Sequence, residues 1–238
     1  TYTPAVAPKI LLVGAAGLWA ALFLDPPAMP KWISTPQVRE PFRWRQAGLG
    51  VLCIGALLFW NMQGPMTISS HFQFLLLCAG IGLIAYGFGG QLLPLERGTF
   101  ALVGAITLLA FVLRVVALDS AVRFFVDEAN FADSVRLALI SNPPLFARFS
   151  GIAAFPWVYP FMESLAVDVF GRNLFGFRLV SALIGTMTIP AVYMLARALF
   201  NKPTALAAAL LLATFPPHLQ FSRIALNNIA DPLFGTRA

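Results

Sequence analysis

The sequence predicts an all-α integral membrane protein: a multi-helix bundle of about six spans plus the start of a seventh, with amphipathic interfacial helices in an outer loop. Three observations carry this. Apolar residues make up 59% of the chain and charged residues only 11%, against roughly 45–50% and 25% in a soluble domain. Mean hydropathy is +0.79. The basic residues sit in short segments between apolar runs, the placement that orients membrane helices, and this accounts for the net charge of +6. No basic stripe interleaves with aromatics, which points away from nucleic acid as a partner. Membrane lipid is a partner by composition.

The elements follow in order. Ile10 to Leu24 is a first apolar run, extended through the interface by Pro4 to Lys9. Asp25 to Gln46 carries five prolines that forbid a continuous helix, and Lys31, Arg39, Arg43 and Arg45 against Asp25 and Glu40 mark it as cytoplasmic. Ala47 to Met62 is the second span, and the uncharged linker Gln63 to Ser70 fits the outer side. Phe72 to Leu93 is the third. Its glycines allow a close helix neighbour, and with no preceding strand and no Lys-Ser/Thr they are not a phosphate loop. Glu96 and Arg97 turn on the inner side, and Thr99 to Leu118 runs outward. Arg114 near its outer end either snorkels to the headgroups or turns inward toward an anionic ligand.

Asp119 to Gly176 reads as a long outer segment with two short helices. In the first, about 127–140, Phe131, Val135 and Ala138 share a face. In the second, about 160–170, Glu163, Ser164 and Asp168 oppose two apolar rows, a pattern expected of a helix lying in the interface. Asp133 with Arg136 and Asp168 with Arg172 have the spacing of surface ion pairs. Phe177 to Leu199 is the fifth span, with Arg197 and Lys202 inside. Thr204 to Phe215 is the sixth, broken by Pro216-Pro217, so that His218 to Asp231 emerges on the side of Asp127. A seventh apolar run begins at Pro232, and the chain starts with Thr, so one or both ends are expected to be incomplete; no cleavable signal peptide is recognisable. Cys53 and Cys78 lie in apolar runs and read as buried small hydrophobes, not as a disulfide or metal framework.

The chemistry centres on Asp127 and Glu128, side by side just outside a span. Carboxylates are costly beside lipid and usable at the water interface. The plainer readings are an N-cap for Asp127, dipole stabilisation for Glu128, a cap for Asp231 and an interfacial residue for His218.

An apolar helix ending in arginine, a short loop to Val126-Asp127-Glu128-Ala129-Asn130-Phe131 and then an amphipathic helix resemble the polyprenyl-phosphate-sugar-dependent membrane glycosyltransferases, which include the protein O-mannosyltransferases and aminoarabinose transferases. The likeness continues at Phe175 to Ala182, at Leu195 to Phe200, and at His218 to Arg223 through Asn227, Asn228 and Asp231-Pro232. It covers about residues 98–238, leaving 1–97 as an N-terminal three-span extension. The resemblance implies a catalytic carboxylate matching Asp127, with Glu128 beside it, and a second acidic position matching Asp231. Sugar would pass with inversion from a lipid-linked donor to an acceptor on the outer face of a bacterial inner membrane. A carboxylate in reach of the acceptor takes its proton. The leaving lipid phosphate needs cationic or amide donors, for which Arg123 and Arg223 are the candidates; His218 and Asn227 are further substrate-binding candidates. The residues name no certain cofactor and leave the metal open; a divalent cation is compatible with Asp231, which would orient it, the sugar or the acceptor. The sequence departs from the family where Phe149 to Tyr159 lacks the charges many members carry, and where Asn130 stands in place of a basic residue. The rival reading is a non-catalytic membrane subunit packed against other subunits of a larger complex.

Overall fold

The computed structural model describes residues 42–62, 68–87, 97–120, 123–147 and 157–236. The first predicted span and most of the proline-rich segment lie outside these residues. Among the described residues all regular structure is helical: α1 Trp44–Met62, α2 Ser70–Gly87, α3 Arg97–Val115, α4 Val126–Ile140, α5 Val158–Phe170, α6 Leu174–Leu199, α7 Lys202–Thr214, α8 Pro216–Phe221, a 3-10 turn Asn227–Ile229, and α9 Ala230–Gly235.

Helices α2, α3 and α6 are long and apolar enough to cross a membrane. The expected spans at 47–62 and 204–215 are helical but fall short of that standard. α1 carries Arg45, Gln46 and Asn61 at its ends, and α7 has only 13 residues, about 20 Å at 1.5 Å per residue. The run from Pro232 forms only the short helix α9 within the described residues.

α1 and α2 form an antiparallel hairpin whose backbones nearly touch. A Cβ on Gly50 would lie 2.6 Å from the Gly80 carbonyl oxygen, and one on Gly87 would lie 2.6 Å from the Ala47 Cβ. The glycines predicted to admit a neighbour do so, and that neighbour is α1. Arg43 closes the far end by stacking 4.4 Å from the Tyr86 ring centroid. Cys53 is half-buried, whereas Cys78, expected to be buried, is exposed on the outer side of this hairpin.

Polar residues at the near end of the hairpin clasp the segment after α4. The buried Gln73 accepts from the Leu145 N–H at 3.0 Å, and Asn61 accepts from the Phe146 N–H at 3.0 Å. Asn142 accepts from the Ser70 hydroxyl and donates to the Ile68 carbonyl. The linker end of the hairpin and the 141–147 segment therefore share one end of the molecule. Phe161 on α5 also meets His71 and Phe74 of α2, with ring centroids 5.2 and 5.6 Å apart.

The second half packs around α6, which touches α3, α5, α7 and α9. α3, α6 and α7 interlock through small and aromatic residues, Ala110, Tyr193, Ala205 and Ala209 among them. Phe131, Val135, Tyr159, Val167 and Phe177 form a second apolar cluster where α4, α5 and α6 meet. The predicted apolar face of α4 is the one buried. α5 buries a mixed face, with Tyr159, Phe161 and Val167 inward and Asp168 outward, so Asp168 does not share a side with Glu163 and Ser164 as expected. Glu163 and Ser164 point into the protein, while Val169 and Phe170 are exposed.

Candidate active site

Glu128 and Arg178 form a buried pair that holds together the segments carrying the candidates Arg123, Asp127 and Asn227. Both side chains are fully buried, with Arg178 Nη2 2.8 Å from Glu128 Oε2. A second parallel bond runs from Arg178 Nε to Oε1 at 2.8 Å. This fork-to-fork geometry is the strong form of the pair. The carboxylate also accepts from the Ala225 N–H at 2.9 Å and from the Phe125 N–H at 2.8 Å. Arg178 in turn donates to the carbonyls of Leu118 and Arg123. One ion pair thus gathers the end of α3, the entry to α4, the first turns of α6 and the loop after α8. Burial alone raises the Glu128 carboxyl, but Arg178 and the two N–H groups outweigh it and hold the group below the usual carboxylate range.

Local sequence explains this placement. Phe125 is the N-cap of α4 and offers no side-chain acceptor. Glu128, three residues on, reaches back to its N–H, which is half of a capping box. Asp127 is therefore not the N-cap. It sits in the first turn, where a negative charge is favourable, and it is exposed. Adjacent helix positions point about 100° apart, so with Glu128 directed into the protein Asp127 is turned out of it.

The other candidates occupy distinct places. Arg123 is exposed beside the entry to α4. Asn227 opens the 3-10 turn, with its Oδ1 buried and without a hydrogen-bond partner among the described residues. Asp231 lies in the first turn of α9, exposed, and it too is not the helix cap. The Ala225 bond to Glu128 brings the loop leading to Asn227 and Asp231 onto the first turn of α4, where Asp127 stands.

Arg223 donates to the carbonyls of Leu113, Val116 and Ala117. It caps α3, where Ala117 adopts a positive φ of 51°, and burial lowers its pKa. His218 is buried beside Arg114. Nδ1 lies 2.9 Å from Arg114 Nη2, and since a guanidinium only donates, Nδ1 is the acceptor and the ring is neutral. Burial, and then the Arg114 charge, lowers the His218 pKa to about 4. Arg114 also donates to the carbonyls of Ala110 and Ala213 and is fully buried, so it turns inward and does not snorkel, but its partners there are carbonyls and a neutral ring, not an anionic group. Gly185 makes room for it, since a Cβ there would sit 3.3 Å from Arg114 Nε and collide with Ser222.

Sequence reasoning gave no role to Arg178, although a signal was present. It stands alone among apolar residues at the start of a long span, and a charge there requires a partner. Glu163 was read only as part of a polar face. Its carboxyl is buried with neither oxygen hydrogen-bonded among the described residues, and Tyr159 nearby spends its hydroxyl on Ser181 at 2.5 Å. Burial, reinforced by the charge of Glu128 and countered in part by Tyr159, raises the Glu163 pKa well above the carboxylate range. The Asp133–Arg136 pair forms at 2.9 Å on the surface. Asp168 and Arg172 do not pair, because Gly171 ends α5 with φ +97° and Arg172 no longer lies on the helix. No group of three or more metal-type ligands occurs among the described residues.

Residues 155–235 match the family model described as dolichyl-phosphate-mannose-protein mannosyltransferase. Undecaprenyl phosphate-alpha-4-amino-4-deoxy-L-arabinose arabinosyl transferases of Pseudomonas paraeruginosa and Pseudomonas aeruginosa are 36% identical over 92 residues, which is 37% of this chain and 17% of theirs. A Pseudomonas fluorescens enzyme of the same description is 35% identical over 88 residues, 36% of this chain and 16% of its own length. The chain thus spans less than a fifth of the curated relatives it matches. No solved structure matches it. Over the matched segment the chain is similar to membrane glycosyltransferases that use polyprenyl-phosphate sugars, and the ion pair of Arg178 with Glu128 joins that segment to the Asp-Glu pair upstream.

Proposed function

We propose that this chain forms the donor-side part of a membrane glycosyltransferase that moves a sugar from a polyprenyl phosphate to an acceptor on the outer face of a bacterial inner membrane. The observation that carries the reading is the division of labour between two neighbouring carboxylates. Glu128 is wholly consumed by Arg178, Ala225 and Phe125, while Asp127 is exposed beside it on the same helical turn. Asp127 is the general base. It takes the proton of the acceptor hydroxyl or similar group as that atom bonds to the anomeric carbon, and the bond from that carbon to the phosphate oxygen breaks, with its electron pair leaving on the polyprenyl phosphate. The attack comes opposite the leaving phosphate and inverts the anomeric centre. Arg123 is the exposed cation at this position, and Asn227 and Asp231 orient sugar or acceptor. Glu128 is a positioning residue. His218 and Arg223 act on the site through the helix ends they hold, not through substrate.

In this reading residues 1–97 are an extension preceding the transferase part, and the clasp of Gln73 and Asn61 on 141–147 braces the outer segment. Residues 25–46 and 200–203 then face the cytoplasm, by their basic bias.

Asp127→Asn keeps the shape and removes the base. In membranes carrying the full protein and a polyprenyl-phosphate donor labelled in its sugar, transfer of label is expected to fall by roughly 10²–10⁴ with thermal stability unchanged. Wild-type transfer by this variant would instead favour the non-catalytic membrane subunit.

A further inference from the structure

The transfer just described leaves unused a cleft of about 530 Å³ between α4, the end of α5 and the start of α6. That size lies within the roughly 300–1,000 Å³ of small-molecule sites. Its floor is apolar, formed by Val135, Leu139, Val167 and Phe177, and Arg136 and Arg172 stand in its lining. Arg136 shares its Nε and Nη2 with Asp133, but the two side chains are 68% and 60% exposed. Such an exposed pair is weak and yields readily to a better anion. Arg172 makes no ion pair among the described residues, including none with Asp168, the acid nearest to it in sequence. The start of α6, a helix of 26 residues, adds the positive end of its dipole at Leu174, which also lines the cleft.

We propose that this cleft binds one anionic membrane phospholipid, with an acyl chain on the apolar floor and the phosphate held between Arg136 and Arg172. An apolar groove alone would accept any lipid. Two guanidinium forks select a phosphate whose negative charge is not balanced by a choline or amine on the same headgroup. The occupant is not the sugar donor. Asp127 and Arg136 are nine positions apart on α4, about two and a half turns, and so stand on opposite sides of the helix. A lipid at Arg136 lies behind the catalytic face, where it seals α4 against α5 and α6.

The test is lipid retention by the detergent-solubilised full protein in native mass spectrometry, with phosphatidylglycerol and phosphatidylcholine of identical chains as probes. One phosphatidylglycerol per chain is expected, retained at least tenfold better than phosphatidylcholine. Arg136→Gln with Arg172→Gln should erase that preference. Ala132→Trp, which fills the cleft, should weaken both lipids. The two arginines carry no core contacts, so the double variant decides the matter even where the tryptophan variant fails to fold. Equal retention of the two lipids, or a preference that survives the double variant, overturns the proposal. So does displacement by undecaprenyl phosphate, which would give the cleft to the donor, or by inorganic phosphate alone, which would make the apolar floor irrelevant.

Discussion

The α1–α2 hairpin and the half of the chain built on α6 solve the same problem in different ways. The hairpin holds its helices together by removing side chains: Gly50, Gly80 and Gly87 let backbone approach backbone. Around α6 the helices are held by an ion pair and by side-chain-to-backbone hydrogen bonds that run between four segments. The first solution is stiff and non-specific, and suits a hairpin whose other faces are apolar and exposed, as Leu52 and Leu75 are. The second fixes a constellation, because each buried polar group accepts only partners in particular places. The proposed site, which would hold Asp127 in one orientation, lies in the second kind of region.

The largest expected effect breaks this second region. Glu128→Gln leaves Arg178 buried without a counter-charge, and removing one partner of a buried pair costs about 3–5 kcal/mol. Thermal unfolding in detergent should show a marked loss, and sugar transfer should be lost with it although Asp127 is intact. Replacing both partners, Glu128→Leu with Arg178→Met, should recover much of the stability but not the transfer. Recovery of transfer would mean that Glu128 is not a positioning residue.

A smaller effect sharpens the contrast from the hairpin side. Gly50→Ala puts a methyl 2.6 Å from the Gly80 carbonyl and 2.9 Å from the Ile84 nitrogen, both backbone atoms that cannot swing away. Overpacking of this kind costs about 1–3 kcal/mol, and the hairpin should loosen while transfer persists. Gly55→Ala, on the same helix with nothing within 4 Å, is the control and should be close to neutral. Alanine is the better helix former, so propensity alone would favour both variants; equal destabilisation by the two would show that the close approach at Gly50 is not what is being read.

The smallest effect has the opposite sign. Glu163 binds its proton more tightly in the folded protein than in the unfolded chain. Below the carboxylate range both states are protonated and nothing is lost. As pH rises above it the unfolded chain ionises first, so the folded state loses ground until Glu163 itself ionises. Glu163→Gln removes that loss. Unfolding temperatures measured from pH 4 to pH 9 should coincide at the acid end and diverge upward in favour of the variant. A constant difference across the range would mean that Glu163 is not carried neutral in the fold.

The extents of the helices were legible because apolar runs and their breakers are local properties. Asn173 and Asn201 cap α6 and α7 within a few residues of where the spans were expected to start, and α5 ends at Phe170, as expected, with Gly171 as its C-cap. The buried side of α4 was legible for the same reason, since Phe131, Val135 and Ala138 recur at helical spacing. Pairings were legible only within one continuous helix. Asp133 finds Arg136, but Asp168 and Arg172, at an equally good spacing, are parted by a glycine in the left-handed region.

By itself the sequence determined that this protein is helical and apolar and where several of its helices begin and end. Composition and period are enough for that, because a backbone in an apolar medium must satisfy its own hydrogen bonds and a helix does so locally. Which of two adjacent carboxylates is free was decided only by the tertiary structure. Glu128 and Asp127 are chemically near-equivalent in the chain. What separates them is that Arg178, fifty residues on, and the Ala225 N–H, ninety-seven residues on, converge on one and not the other. The same holds for the buried orientation of Glu163 and Ser164, for Arg114 beside His218, and for Arg223 on the end of α3. Each depends on a contact between segments far apart in the chain, and a charge taken out of water settles wherever the folded chain supplies its partner.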